Sequence, residues 1–367
     1  MDTAAMEQAL REVVAHQGIP GAVLVAGHEG CQAYSLALGR AALVPCSQPM
    51  LPGTLFDLAS LTKVLATTTL AMQLVEQGGL DLDRSLEGHL PGRYGPGLAS
   101  VTPRLLLAHA AGLPAHVPLH QGRPAEPADP EVERRQALER VRRLALAWAP
   151  GRQCQYSDLG MIVLGDLLEG LAGDRLDRLF ETLVAVPLGL PDTFFVHLDQ
   201  PLPRARRAAS AFAPTEECPW RGRLVRGQVH DENAYLLRGV AGHAGLFSAA
   251  ADLQRLVTVL LACWHGESPF LSAGTLGLFT RREEGVPGSS RALGWDTPSP
   301  GASCGTLFGE RAFGHTGFTG TSIWIQPECR RYVILLTNRI HPTRQDRGFL
   351  GARPALHDRI VRAMPRA

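Results

Sequence analysis

The placement of the strand-forming segments constrains the fold of this chain more than any other feature, because they lie near its two ends. Short runs of β-branched and apolar residues, bounded by glycine or turn residues, are typical of strands. This pattern predicts strands at Gly21–Ala26, Gln32–Leu38, Arg311–Gly314, Gly320–Gln326 and Arg331–Thr337. A turn at His28-Glu29-Gly30 would join the first two as a hairpin. Since strands need partners to be stable, we expect one antiparallel sheet built from both termini.

The stretch between these ends has the periodicity of helices, with apolar residues recurring every three or four positions. The pattern predicts helices at Ser60–Gln77, between Thr102 and Gly112, and at Asp129–Trp148, Ser157–Leu171, Leu176–Val184 and Asp252–Trp264. Further helices are expected at the N-terminus, over Met1–Gln17, and at Ala355–Met364. We therefore predict the α/β class, an α+β sandwich in which helices flank the sheet.

The same order predicts two structural units. Residues 1–78 and 240–367 would form the sheet domain, and residues 79–239 an inserted, mostly helical lobe. A cleft between two such units is the default place for a binding site.

Charge and cysteine content exclude several classes of function. Lysine and arginine number 36 against 35 acidic residues, so no positive surplus is available for nucleic acid. Seven cysteines without a C-x-x-C pair argue against a disulfide framework and a structural zinc site. No run approaches the roughly 20 apolar residues of a membrane span. We expect a protein without a cofactor that is a monomer or a small homo-oligomer. We expect it in the cytoplasm, or in the periplasm or outside the cell if a leader was removed.

Lys63 is the only lysine, and every other basic residue is arginine. Arginine serves wherever positive charge alone is needed, so a lysine here suggests chemistry that requires loss of a proton. The alternative is a surface lysine retained by chance. Ser60 precedes it by three residues, which makes the two side chains neighbours on a helix. A desolvated Lys63 that loses its charge could accept the serine proton.

Two further motifs hold candidate site residues. Tyr156-Ser157-Asp158 precedes a predicted helix, where Tyr156 could relay protons, or could pack while Ser157 or Asp158 caps the helix. The segment from Gly314 to Gly320 lies between two predicted strands, and its glycines allow the backbone to pass close to a ligand. An ordinary glycine-rich hairpin is the alternative for this segment.

In this order, the three motifs resemble the active-site set of the serine β-lactamases and penicillin-binding proteins. The similar branch includes class C β-lactamases, family VIII carboxylesterases and penicillin-binding protein 4B. Four more segments resemble that family, namely residues Leu55–Lys63, Leu106–Pro114, Gly242–Ser248 and Leu293–Asp296. The resemblance spans nearly the whole chain and implies a β-lactamase/transpeptidase-like fold.

The resemblance also implies roles for individual residues. Ser60 would be the nucleophile, Lys63 the base and Tyr156 a second proton relay. The backbone N–H groups of Ser60 and Phe318 would form the oxyanion hole. The matching motifs imply that Asp158, His315, Thr316 and Gly317 bind substrate. Arg339, which follows the last predicted strand, is added to this set.

Two departures from the family pattern bear on substrate choice. Asp158 replaces the usual asparagine and, when ionised, accepts hydrogen bonds but donates none. It would also raise the pKa of Lys63, unless Tyr156 takes more of the role of base. His315 replaces the lysine of many β-lactamases and is expected to be only partly charged near neutral pH. Recognition of a β-lactam or terminal carboxylate should therefore be weaker, with Arg339 as a possible substitute.

The expected function is a serine hydrolase that cleaves small-molecule ester, β-lactam or muropeptide substrates, esterase-like with weak β-lactamase activity. Penicillin-binding protein 4B and muropeptide amidases look most similar, so a muropeptide amidase or D-alanyl-D-alanine carboxypeptidase is an alternative. An acyltransferase is a second alternative, because an alcohol or amine can resolve the same acyl-enzyme. A catalytically silent binding protein is a third, disfavoured because Ser60, Lys63 and Tyr156 are all present.

His230-Asp231-Glu232 together with His243 offers imidazole and carboxylate groups that could bind a metal. These residues lie on a glycine-interrupted loop without a helical histidine pair, so we predict no metal site. The alternative is a structural latch in which His230 and Asp231 hold the two lobes together beside the cleft.

Overall fold

The protein is described here from a computed structural model that covers residues 1–28, 31–200, 209–286, 288–345 and 348–365. Of the predicted hairpin turn, Glu29 and Gly30 lie outside the described residues. The strands are β1 (Gly21–Gly27), β2 (Tyr34–Ala42), β3 (Gln48–Pro49), β4 (Phe56–Asp57), β5 (Phe194–Phe195), β6 (Glu217–Cys218), β7 (Arg223–Leu224), β8 (Leu246–Ser248), β9 (Phe313–Thr316), β10 (Ser322–Gln326) and β11 (Arg331–Thr337).

Helices make up most of the remaining regular structure. The α-helices are α1 (Thr3–His16), α2 (Thr69–Glu76), α3 (Leu86–His89), α4 (Pro96–Ala99), α5 (Pro103–Leu107), α6 (Pro130–Arg142), α7 (Asp158–Ala172), α8 (Leu176–Phe180), α9 (Val186–Leu188), α10 (Glu232–Leu236), α11 (Ala250–Trp264), α12 (Ala273–Thr280) and α13 (Phe349–Arg362). Two π-helical segments, Lys63–Thr68 and Glu181–Ala185, continue into or out of α-helix, and Ala209–Ala211 and Pro327–Cys329 form 3₁₀ turns.

The main sheet joins both ends of the chain, as the sequence predicts. Its six strands lie in the order β3-β2-β1-β11-β10-β9, and every neighbouring pair is antiparallel. In the central pairings Leu24 faces Leu335 on one side and Leu36 on the other. The predicted α/β class with an antiparallel sheet is therefore confirmed.

Alternate residues of β1 pack into two different cores. Leu24 belongs to the core beneath α1 and α13, whereas Val23 and Val25 belong to the larger core on the opposite face. All residues of β1 and β11 are buried, because helices cover both faces of the sheet. The two helical layers thus fix the register of the strands on which the site is built.

Several predicted boundaries were wrong. The helix expected at Asp129–Trp148 ends at Arg142, where the Arg142 carbonyl accepts a hydrogen bond from Gly95. The C-terminal helix begins at Phe349 rather than Ala355, directly after Gly348 at a φ of +111°. The strand expected at Arg311–Gly314 runs instead over Phe313–Thr316, because these residues pair with β10. His315 therefore lies within a strand and not between two strands.

A small three-stranded sheet, β4-β8-β5, was not predicted. Strands of two or three residues are too short to show the alternation that identifies a strand. In this sheet Asp57 pairs with Phe247, which brings the segment before Ser60 next to the segment after His243. The division into residues 1–78 with 240–367, and 79–239, stays a prediction. Across the described segments, we find no helix whose length and hydropathy would let it cross a bilayer.

Candidate active site

Asp57 holds the turn that carries Ser60. Its carboxylate accepts hydrogen bonds from the backbone N–H groups of Ala59, at 2.8 Å, and His230, at 2.6 Å. Ala59 has a φ of +48°, a left-handed conformation that residues other than glycine rarely adopt. This turn places Ser60 immediately before a helical segment. Sequence analysis missed Asp57, whose one signal was its place in a segment that resembles the family.

Ser60 and Lys63 lie side by side, as their spacing predicts. Lys63 Nζ donates a hydrogen bond to Ser60 Oγ at 2.8 Å and another to the His243 carbonyl at 3.1 Å. The Lys63 side chain is completely buried and stands at the start of the first π-helical segment. Such segments are often found at functional sites, because the wider turn redirects a side chain.

Tyr156 and Asp158 reach the same place from the start of α7. Ser157 caps the helix through its hydroxyl, which accepts from Gly160 N–H at 3.2 Å, so the capping role falls to Ser157. Asp158 Oδ1 lies 2.8 Å from Lys63 Nζ. The Tyr156 ring lies beside the same amine, 4.9 Å from Nζ to the ring centroid. The start of α7 and the loop before it thus bring a carboxylate and a phenol to Lys63.

The charge state of Lys63 differs from the prediction. Burial lowers its pKa, but Asp158 and Tyr156 together raise it above the ordinary lysine value. Burial raises the pKa of Asp158. Lys63 and His116 lower it by more, so the pKa of Asp158 lies well below its usual range. The expectation that desolvation leaves Lys63 neutral was wrong, because an ionised carboxylate lies in contact with it. The expectation that Asp158 favours the ammonium form is confirmed.

His315 and the two residues after it line the cleft from β9. The His315 ring is buried, with Nδ1 donating to the Thr316 carbonyl at 2.8 Å. Burial, followed by the charges of Arg291 and Lys63, holds the pKa of His315 well below 6.5. The prediction of a partly charged ring was therefore wrong, and His315 is neutral at neutral pH. Gly317 is required, since a Cβ there would lie 2.5 Å from the Leu58 carbonyl oxygen.

Two hydroxyls tie the turn after β9 to the segment before Ser60. Thr319 donates to the Asp57 carbonyl at 2.8 Å, and Thr321 donates to the Leu58 carbonyl at 3.1 Å. Within the described residues, the backbone N–H groups of Ser60 and Phe318 donate no hydrogen bond. Both residues line the cleft, so these two donors are available to an oxyanion.

The cleft has a volume of about 520 Å³, and Ser60, Tyr156 and Asp158 line it. At its rim the Phe318 ring is 48% exposed, stacked on His230 with 5.7 Å between ring centroids. The guanidinium carbon of Arg339 lies 4.8 Å from the Phe318 centroid. The structure therefore gathers the predicted site residues around one cleft, with Lys63 beneath them.

Three residues that contact Tyr156 or Asp158 were not predicted. His109 packs on Tyr156 with 4.7 Å between centroids, and its Nδ1 accepts from Ser157 N–H at 3.2 Å. His116 Nδ1 lies 3.7 Å from Asp158 Oδ2. The Arg291 guanidinium carbon lies 5.1 Å from the Tyr156 centroid. Only His109 had a sequence signal, its place in one of the resembling segments.

The loop with His230 and Asp231 forms side-chain contacts between elements. His243 Nε2 lies 2.8 Å from Asp231 Oδ1, and the same carboxylate oxygen caps α10 by accepting from Ala234 N–H at 2.7 Å. His230 Nε2 lies 3.2 Å from Glu216 Oε1. These contacts favour the latch interpretation of the loop.

Glu216, Cys218 and Glu232 are the group of metal-ligating side chains that the described residues bring together. Arg344 Nη2 binds Glu232 at 2.6 Å and also binds Glu216. One guanidinium therefore already binds both carboxylates, which favours a structural role for the group.

Comparison with known proteins gives consistent findings. A family model described as beta-lactamase matches residues 6–353. The chain is 34% identical over 349 residues to an N-acetylmuramyl-L-alanine amidase of Bacillus subtilis (strain 168), covering 88% of this chain and 78% of the relative. It is 33% identical over 308 residues to a candidate D-alanyl-D-alanine carboxypeptidase of Escherichia coli (strain K12), covering 79% and 70%. The solved structure of EstCE1, a hydrolase with promiscuous acyltransferase activity, superposes with a TM-score of 0.74 at 24% identity, covering 98% and 97%.

Proposed function

The chain belongs to the beta-lactamase family of serine hydrolases, and from that premise we propose that it cleaves ester or amide bonds through an acyl-enzyme on Ser60. One observation carries this proposal. Ser60 Oγ lies in the cleft, 2.8 Å from Lys63 Nζ, and the backbone N–H groups of Ser60 and Phe318 are available for an oxyanion. A hydroxyl, a cation and two oriented donors are what acyl transfer to serine requires.

The charges of the site support one assignment of the proton transfers. Lys63 is an ammonium group that donates a hydrogen bond to Ser60 Oγ, which leaves the serine O–H free to point elsewhere. An ammonium group cannot itself take the serine proton. Tyr156 then acts as the base. As Ser60 Oγ bonds to the acyl carbon, its proton passes to the side-chain oxygen of Tyr156, and from there to the leaving group as that bond breaks. In the second half, water bonds to the acyl carbon and loses a proton to the same oxygen, which returns it to Ser60 Oγ as the acyl–Oγ bond breaks and the acid leaves.

The walls of the cleft favour small esters over β-lactams. Asp158 is ionised and offers an acceptor where the family pattern has a donor, and His315 is neutral where many relatives have a lysine. An activated ester depends mainly on the nucleophile and the oxyanion donors. A β-lactam also requires contacts for its carboxylate and its side-chain amide.

A cell-wall fragment is the second candidate substrate, and the size of the cleft favours it. About 520 Å³ exceeds what a short ester occupies, and the exposed Phe318 offers a surface at the rim. The amidase relative aligns with 88% of the chain. All seven cysteines are free thiols, which suits a reducing compartment, so we propose a cytoplasmic location and recycled muropeptides as substrates.

The test compares kcat/KM for a short-chain p-nitrophenyl ester, a chromogenic cephalosporin and a purified muropeptide, with Ser60→Ala as the control. We expect the ester to exceed the cephalosporin by at least about tenfold, because only the cephalosporin needs the missing contacts. Every activity should be lost in Ser60→Ala. A cephalosporin rate equal to or above the ester rate would contradict the proposed preference.

A further inference from the structure

Among the described residues, two cations and two histidine rings lie close to the Tyr156 ring. The ring centroid lies 4.9 Å from Lys63 Nζ and 5.1 Å from the Arg291 guanidinium carbon. The rings of His109 and His315 lie 4.7 Å and 5.8 Å away, centroid to centroid. Burial holds the pKa of both histidines well below 6.5, so neither contributes positive charge at neutral pH.

Lys63 is largely compensated, because Asp158 Oδ1 lies 2.8 Å from its amine. Arg291 has a weaker counterion. Its Nη1 lies 3.7 Å from Asp296 Oδ2, beyond hydrogen-bond distance, and that nitrogen makes no hydrogen bond within the described residues. Burial also raises the pKa of Asp296, which makes the ionised carboxylate less favourable. More of the Arg291 charge therefore remains to act on its neighbours.

The direction in which this charge acts is visible at the histidines. After burial, Arg291 is the strongest influence that lowers the pKa of both His109 and His315. These two rings flank Tyr156, and Arg291 itself lines the cleft. A cation that opposes protonation of both flanking rings favours negative charge on the phenol between them.

We propose that Arg291 supplies the positive charge that stabilises the phenolate form of Tyr156, the charge that a neutral His315 does not provide. This inference rests on the proposed function, in which Tyr156 takes the proton of Ser60 and passes it to the leaving group. Arg291 touches no reacting atom in this scheme and acts through Tyr156, so it is a positioning residue. A lysine at position 315 would also place a cation near the Tyr156 ring. It should therefore compensate for the loss of the Arg291 charge.

The test measures the pH dependence of kcat/KM for p-nitrophenyl acetate, a neutral ester, in Arg291→Gln, Arg291→Lys and the double variant Arg291→Gln/His315→Lys. Loss of a cation about 5 Å from the ring should move the acid limb upward by about one pH unit and lower activity at neutral pH about tenfold. Arg291→Lys should keep most of the activity. The double variant should recover at least part of the shift, since it restores the charge from β9.

Arg281→Gln is the matched control, because it removes an exposed arginine from the same stretch of chain outside the cleft, and it should leave the profile unchanged. An unmoved acid limb in Arg291→Gln, with Ser60-dependent hydrolysis intact, would overturn the inference. So would a loss confined to KM for carboxylate substrates, which would make Arg291 a substrate anchor. Failure of the proposed function has another signature, the absence of Ser60-dependent ester hydrolysis in the unaltered protein.

Discussion

At the scale of single residues, the contact between Lys63 and Asp158 decides how the site works. A lysine with this burial and no counterion would lose its proton readily. Asp158 Oδ1, at 2.8 Å, favours the ammonium form of Lys63, so the proposed mechanism assigns the base to another residue. In the proposed mechanism, one carboxylate in place of an amide thus moves the proton transfer from Lys63 to Tyr156.

Replacing Asp158 by asparagine should change the alkaline side of the pH profile. Asp158 raises the pKa of Lys63, so its removal lowers that pKa, and the ammonium form is lost at lower pH. We expect the alkaline limb of kcat/KM for p-nitrophenyl acetate to move down by about one to two pH units in Asp158→Asn. Steady-state rates across the alkaline range measure this shift.

Glu232→Gln is the control for Asp158→Asn, because it removes another carboxylate of the cleft, one paired with Arg344 rather than Lys63. It should leave the alkaline limb in place. If Asp158→Asn instead gains activity at neutral pH through a lower acid limb, neutral Lys63 is the base and the assignment to Tyr156 is wrong.

The sequence predicts residue contacts well where they are local. Ser60 and Lys63 are three positions apart on one helical segment, so their contact follows from helix geometry alone. The contacts of Tyr156 with Arg291 and of Asp158 with His116 depend on loops whose paths no periodicity encodes. Arg291 and His116 were therefore missed.

At the scale of elements, α7 is held in place by a buried charge cluster. Asp166 accepts hydrogen bonds from Arg93, at 2.7 Å, and from Arg142, at 2.6 Å. Tyr94 donates to the same carboxylate at 3.1 Å. Because α7 begins at Asp158, this cluster anchors the helix whose first residue enters the site. It also involves the last residue of α6, which lies six residues before the predicted end of that helix.

Asp166→Ala should destabilise the fold by about 3 to 5 kcal/mol at neutral pH, because it removes the buried carboxylate that two partly buried guanidinium groups share. Burial raises the pKa of Asp166, but Arg93 and Arg142 lower it by more. The pKa of Asp166 in the folded protein therefore lies below its unfolded value. The stabilisation is therefore complete above about pH 4 and is lost as the pH falls through the folded pKa. Urea unfolding at neutral and acidic pH measures both effects.

The matched control is Asp174→Asn, just beyond the end of α7. Asp174 forms an exposed pair with Arg178 at 3.8 Å, and such pairs contribute under about 1 kcal/mol. Equal losses in the two variants, or an Asp166→Ala effect that persists unchanged under acid conditions, would rule out the charge cluster as the anchor of α7.

At the scale of the whole molecule, the two ends of the chain close one sheet and the middle supplies the other half of the site. Asn338, just after β11, accepts from Gly21 N–H at 3.0 Å and donates to the Ala41 carbonyl at 2.8 Å. The strand-rich ends predict this closure. They do not predict the pairing of β4, β8 and β5, which brings Lys63 within 3.1 Å of the His243 carbonyl, 180 positions away.

The central claim is that folding assembles a serine nucleophile at position 60, and one measurement tests it directly. The protein is incubated with a p-nitrophenyl ester or with penicillin, its intact mass is measured, and the labelled peptide is identified. We predict a mass increase equal to one acyl group, located on Ser60, and absent from both Ser60→Ala and the urea-unfolded protein. An acyl group on any other residue, or undiminished ester hydrolysis by Ser60→Ala, would contradict the account.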